Sequence, residues 1–154
     1  MSTFDPYNHL GFLAIRMGKL THINAQKRIA ERGMSFQPSC ISILAQLWNG
    51  DGINQKELSD SLFMGKSSIN KMLLALEKDA LITRKAHQKD RRNKLIFLTQ
   101  KGRDFRMILE EGNKKKEALL EQEFSKKEIQ TAKLILRKMM DHSCGDIEMP
   151  IEKS

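Results

Sequence analysis

The stretch NQKELSDSLFMGKSSINKMLLALEKDALITRKAHQKDRRNKLIFL, residues 54–98, decides the fold. Asn54-x-x-Glu57 has the shape of a capping box, in which an Asn side chain and a Glu side chain each bond the other residue's backbone N–H at a helix start. The short helix it opens carries Leu58 and Leu62. Phe63-Met64-Gly65 is a tight break before a second helix over residues 66–79. At about 100° per residue, one face of that second helix holds Ile69, Met72, Leu73 and Leu76, followed by Ala80. The opposite face holds Ser67, Asn70, Lys71, Leu74 and Lys78, with Lys66 and Ser68 at its edges. Residues 81–87 and 94–98 read as two short strands rich in branched side chains, joined by a polar hairpin tip at residues 88–93. Two helices joined by a tight break and followed by a hairpin make a helix-turn-helix with a wing.

Upstream, Leu10, Leu13, Met17 and Leu20 recur at helical spacing over residues 9–31, with Ile23 and Ile29 less regular, and Gly33 stands where a helix end favours glycine. Pro38 opens a further helix at its first turn, with Ile41, Leu44, Ala45 and Trp48 as its expected buried stripe. Asn49-Gly50-Asp51-Gly52 is a turn. Downstream, Thr99 can cap a long helix through Phe105, Ile108, Leu109, Leu119, Leu120 and Phe124, whose polar middle, residues 112–117, is expected to bend or to be solvated. Ser125-x-x-Glu128 is a second capping box and opens a last helix with Ile129, Ala132, Leu136 and Met139 on one face. The Gly and Pro content after Ser143 suggests a loose tail.

The expected class is mainly α: a winged helix-turn-helix with a two-stranded β wing, flanked by N- and C-terminal dimerisation helices. The divisions are residues 1–35 for the N-terminal helix, 36–100 for the reader, 101–142 for the C-terminal helices and 143–154 for the tail. The outer helices are too long to cover only the small reader. Their surplus apolar stripes are best buried against a second copy of the chain, which implies a homodimer.

Charge supports a polyanion partner. The chain carries a net +8, and residues 66–103 hold 11 bases against 3 acids, while the remainder is neutral with 16 of each. A charge confined to one quarter of the chain is the footprint of a nucleic-acid surface. With 40% hydrophobic and 30% charged residues the chain is globular rather than disordered, and the nine Met read as core filler. The start lacks the basic-then-apolar pattern of a signal peptide, and no apolar run approaches the roughly 20 residues of a membrane span. Cys40 and Cys144 lie far apart without CxxC spacing, which favours reduced thiols in the cytoplasm and neither disulfide nor metal.

The polar face of the second helix suits the major groove of duplex DNA. Asn can pair in bidentate fashion with adenine, Lys can donate to guanine, and Ser can serve a base edge or a phosphate. In a helix-turn-helix the front of the second helix meets the bases, so Lys66, Ser67, Ser68, Asn70 and Lys71 are the candidate contacts. On the wing the candidates are Arg84, Lys85, Lys89, Arg91 and Arg92, because guanidinium groups on a projecting tip can enter a narrow minor groove. Asp90 would hold a neighbouring Arg by a bidentate pair, or simply form the turn.

Leu58…Leu62, Ser68-Ile69-Asn70-Lys71, the run from Leu76 through Asp79-Ala80-Leu81-Ile82-Thr83 to Arg84, and above all Asp90-Arg91-Arg92 followed by Leu98-Thr99-Gln100-Lys101-Gly102 resemble the MarR (multiple antibiotic resistance regulator) family of transcription factors. The resemblance covers residues 8–142, and its wing run is the more specific part. It implies a homodimer that binds pseudo-palindromic operator DNA, with Arg92 reaching the minor groove. It also implies, for many members, repression relieved by a small phenolic or lipophilic ligand or by oxidation of a cysteine. Three positions depart from the family pattern: Leu74 where Asp is frequent, Ala80 where Gly is usual, and Cys40 where Gln is common. Neither cysteine matches the helix-one position of the peroxide-sensing members.

Leu13, Met17, Cys40, Leu44 and Met64 could line a ligand pocket and would equally suit plain core. An enzyme finds little support: there is no Gly-rich phosphate loop, no HExxH and no nucleophile elbow. His9 and His22 are too far apart to share a metal unaided, and His87 and His142 have no evident partners, so neither metal nor cofactor is expected. The rival readings are a winged-helix adaptor that binds protein instead of DNA, and a redox sensor acting through Cys40.

Overall fold

The computed structural model describes residues 5–86 and 94–143. Two compact units divide the chain between Thr99 and Gln100. In the first, α1 spans Leu10–Ala30, a 3-10 turn at Pro38–Cys40 leads into α2 at Ile41–Asn49, and β1 is the short strand Ile53–Asn54. Then follow α3 at Gln55–Ser61, α4 at Lys66–Lys78, and the strands β2 at Ile82–Ala86 and β3 at Lys94–Leu98. The second unit holds α5 at Gln100–Glu123 and α6 at Lys126–Ser143. The fold is mainly α, a winged helix-turn-helix in which α3 and α4 form the helix pair and β2 and β3 the wing strands.

The core of the first unit is made by Phe36, Ile43, Leu44, Leu47, Leu58, Ile69, Leu73, Leu76, Leu81 and Ile96, all nearly inaccessible. Each such Leu or Ile contributes about 1.5–3 kcal/mol relative to an exposed side chain. In α4 the buried face is Ile69, Met72, Leu73 and Leu76, as the periodicity requires. In α2 the expected stripe is displaced: Ile43, Leu44 and Leu47 are buried, while Ile41, Ala45 and Trp48 are half-buried. Ile41, Ile43, Leu44, Ala45, Leu47 and Trp48 are apolar nearly all round this short helix, so periodicity alone does not choose the buried face and tertiary packing does.

The wing is part of a larger sheet than the two expected strands. The order is β1-β3-β2, antiparallel throughout, with Ile53 opposite Ile96 and Ile82 opposite Leu98. β1 is too short for alternation to reveal it. It is seated by the turn before it: Gly52 N–H donates to the Ile96 carbonyl at 2.9 Å, and Asp51 Oδ1 accepts from Leu98 N–H at 2.8 Å. Gly52 adopts φ +82°, and a Cβ there would lie 3.2 Å from the Phe97 ring, so the position wants glycine.

Three helices of this unit end alike. Met34 N–H reaches Ile29 O, Met64 N–H reaches Ser59 O, and Leu81 N–H reaches Leu76 O, each with the shorter bond inside it that completes a Schellman motif. The left-handed residues are Gly33, Phe63 and Ala80, at φ 68°, 50° and 55°. The helix before Ala80 therefore closes as tightly as a glycine would allow.

In the second unit α5 runs unbroken through residues 112–117, where a bend was the alternative to a solvated helix. The segment is rich in good helix formers, and Arg106–Glu110 and Lys115–Glu111 pair one turn apart at 2.8 and 2.7 Å. Lys133 of α6 pairs with Glu117 of α5. The second capping box forms: Ser125 N–H donates to Glu128 Oε2 at 2.8 Å, and Glu128 N–H to Ser125 Oγ at 3.3 Å.

Candidate nucleic-acid interface

Lys66, Ser67, Ser68, Asn70 and Lys71 are all exposed, on the side of α4 opposite its four buried residues. Leu74 is 54% exposed on that same side, an apolar group among polar ones. Gly65 precedes α4 and makes no side-chain cap, so the first-turn N–H groups keep their partial positive charge for an anion.

Both ends of this helix are tied to the scaffold. At its start, Gln55 Nε2 donates to the Lys66 carbonyl at 3.0 Å, and Gln55 is itself held at the head of α3 by the Asn54–Glu57 capping box. At its end, Asp79 Oδ2 accepts from the N–H groups of Ser35 and Phe36 at 2.7 and 2.9 Å, and Ser35 Oγ donates to Asp79 Oδ1 at 3.3 Å. The segment leading into α2 is thereby pinned to the end of α4. Thr99 Oγ1 donates to the carbonyls of Ala80 and Leu81 at 2.7 and 3.1 Å, which fastens the exit from the sheet to the same place.

Arg84 stands apart from the other expected wing contacts. Its side chain is only 16% exposed, with Nη2 lying 2.9 Å from Glu77 Oε2 and Nη1 donating to Asn70 Oδ1 at 3.2 Å. Side chains alternate along a strand, so Arg84 shares the inner face of β2 with Ile82, which is buried. An outward contact is therefore not its position. Together with Asn54, Gln55, Lys56, Leu73, Lys94 and Ile96 it lines a cavity of about 380 Å³. Lys85 lies on the other face, its Nζ 5.2 Å from the centre of the Phe97 ring, a cation–π contact that steadies the stem of the wing. Lys89, Asp90, Arg91 and Arg92 lie outside the described residues, as do His87 and Cys144.

The five candidate pocket residues are dispersed in character. Leu13 and Met17 are 41% and 64% exposed on α1, Cys40 and Leu44 belong to the core, and Met64 is half-buried in the break between α3 and α4. None of them lines the cavity beside Arg84. Burial pushes the Cys40 thiol above its usual range, so the nucleophilic thiolate is disfavoured. Among the described residues no group of three or more His, Cys, Asp or Glu could hold a metal, and no helix is long and apolar enough to cross a membrane.

Gln55, Glu77 and Asp79 were not singled out from the sequence. Asp79 meets partners 43 and 44 residues away, and no local pattern announces such a pair. Arg84 could have been placed by the alternation it shares with Ile82.

Residues 36–94 match the model of the MarR family. The chain is 32% identical over 65 residues to the organic hydroperoxide resistance transcriptional regulator of Bacillus subtilis, which is 42% of this chain and 44% of that one. It is 34% identical over 61 residues to the HTH-type transcriptional regulator TtmR of Methylorubrum extorquens, 40% of this chain and 31% of that one. The match thus spans less than half the length of either relative. Solved structures share the fold over far more of the chain. A structure of MarR superposes with a TM-score of 0.76 at 19% identity, covering 92% of this chain and 95% of that one. The PcaV regulator of Streptomyces coelicolor, in complex with its natural ligand, gives 0.71 at 18% identity over 93% and 99%. The S. aureus MepR–DNA complex gives 0.71 at 21% identity over 87% and 97%. The central segment of this chain is thus similar in sequence to the MarR family, and the chain shares its fold with solved structures of MarR regulators.

Proposed function

We propose that this chain is a sequence-specific DNA-binding transcriptional regulator, a cytoplasmic repressor that binds pseudo-palindromic operators as a homodimer. The observation that carries the reading is α4: four apolar residues buried on one side, and Lys66, Ser67, Ser68, Asn70 and Lys71 exposed on the other. Asn70 is the base reader, with Ser67, Ser68 and the uncapped helix start on the phosphates. Lys85, Lys89, Arg91 and Arg92 add wing contacts, Arg92 in the minor groove, and Asp90 holds a neighbouring guanidinium. The solved MepR–DNA complex, of the same fold, supports duplex DNA as the partner.

A small lipophilic or phenolic ligand would act by population shift, favouring a spacing of the two recognition helices that no longer fits half-sites about 34 Å apart. Leu13, Met17, Cys40, Leu44 and Met64 are the residues proposed to meet it. The ligand complex of PcaV supports a ligand in general and no particular one. A redox switch at Cys40 has less support, because the thiol is buried and its thiolate disfavoured.

The test is selection of bound duplexes from random DNA, followed by a salt titration on the winner. An inverted repeat whose affinity falls steeply with salt is the expected result. Binding that is flat in salt, or no enriched sequence, would sink the reading and favour a protein-binding adaptor. Asn70→Ala should change base preference by roughly 1–3 kcal/mol at its own position.

A further inference from the structure

We infer that Arg84 is a positioning residue for sequence choice: it orients the Asn70 amide and never touches DNA itself. The inference rests on the DNA-reading role proposed for Asn70. A guanidinium has only donors, so the side-chain atom Asn70 turns toward Arg84 must be its carbonyl oxygen. The Nη1–Oδ1 hydrogen bond of 3.2 Å therefore decides which way round the amide sits. The NH₂ group is left to donate, and the second lone pair of Oδ1 to accept. That is the arrangement adenine needs, since its N7 accepts and its N6 donates. A free Asn side chain could present either end and would read several bases.

Arg84 is itself held. Glu77, on the same helix as Asn70 and seven residues further on, meets Nη2 at 2.9 Å, and the side chain is 84% shielded beneath α4. One helix thus supplies both the reader and the anchor of the group that orients it. The Glu77 carboxylate also offsets much of the guanidinium charge, which makes Arg84 a poor phosphate ligand and a good fixed donor.

The probe is a duplex library randomised at single positions of the sequence that wild type selects, at fixed salt, with melting temperature measured for each variant. Arg84→Met and Asn70→Ala should relax preference at the same position, Asn70→Ala lowering discrimination roughly 5- to 150-fold and Arg84→Met by no more than that. The double variant should lose no more than Asn70→Ala alone. The salt slope should be unchanged by Arg84→Met, because no phosphate contact is lost. Should Arg84→Met fail to fold, Glu77→Ala carries the test, and is expected to relax the same position less. Unchanged preference there in whichever of these folds overturns the inference. So does an equal loss for all sequences with a salt slope lower by about one, the mark of a direct phosphate contact. If wild type selects no sequence, the DNA-reading role fails first; if it does and Arg84→Met reads as wild type, only this inference fails.

Discussion

Gly33, Phe63 and Ala80 hold the same left-handed turn at the ends of three helices, and only the first is a glycine. A Cβ in that conformation costs on the order of 1 kcal/mol. Ala80 is exposed, so replacing it removes no packing. Ala80→Gly should therefore raise stability by up to about 0.5 kcal/mol, the strain relief being largely offset by the looser unfolded chain. Urea unfolding checks this, and a lower midpoint would mean that the turn carries no strain. Cys40 tests burial in another way. Its thiol packs inside the core and donates to the Met72 carbonyl at 3.9 Å. In a Cys144→Ser variant, a thiol reagent should modify the folded protein far more slowly than the urea-unfolded chain. Equal rates would restore Cys40 as a candidate sensor.

Helix ends do much of the organising in this protein, and both capping boxes were legible as Asn54-x-x-Glu57 and Ser125-x-x-Glu128. Their logic is local: donor and acceptor lie three residues apart, whatever surrounds them. At the second box the Ser125 hydroxyl and N–H both bond the Glu128 carboxylate and hold its pKa below the ordinary 4.5. A depressed carboxylate pKa stabilises the folded helix above the unfolded value, and that contribution fades as pH falls through the folded one. The start of α6 should thus loosen only on the acid side of about 4.5. A pH titration followed by the Glu128 carboxyl NMR signal should place its midpoint below that of an unfolded control, and a midpoint at or above the control would contradict the cap. The strands are the opposite case. β1 has two residues and depends on β3, more than forty positions later, so no window along the chain contains its cause.

At the scale of the whole molecule, the chain leaves unusual amounts of apolar surface open. Leu10, Leu13, Met17 and Leu20 are 41–64% exposed on α1, and Leu134, Ile135, Leu136 and Met140 are 43–56% exposed on α6. Such stripes are costly to leave in water, and a second copy is the proposed cover. Sedimentation should give twice the 17.7 kDa mass at micromolar concentration, and Leu20→Glu or Leu136→Glu should shift it toward monomer. A wild-type monomer would refute the dimer.

The same contrast between near and far separates what could be read along the chain from what could not. The two faces of α4, the capping boxes, the basic segment and the helix order follow from neighbours in sequence, because helical periodicity and end-capping act over three or four residues. The rotation of the α2 stripe, the third strand, the clasp of Asp79 on residues 35 and 36, and the pairing of Arg84 with Asn70 arise only after distant segments meet. Hydrogen bonds across 14 to 47 residues leave no periodic trace, since each joins an ordinary polar side chain to a backbone N–H or a second side chain far along the chain.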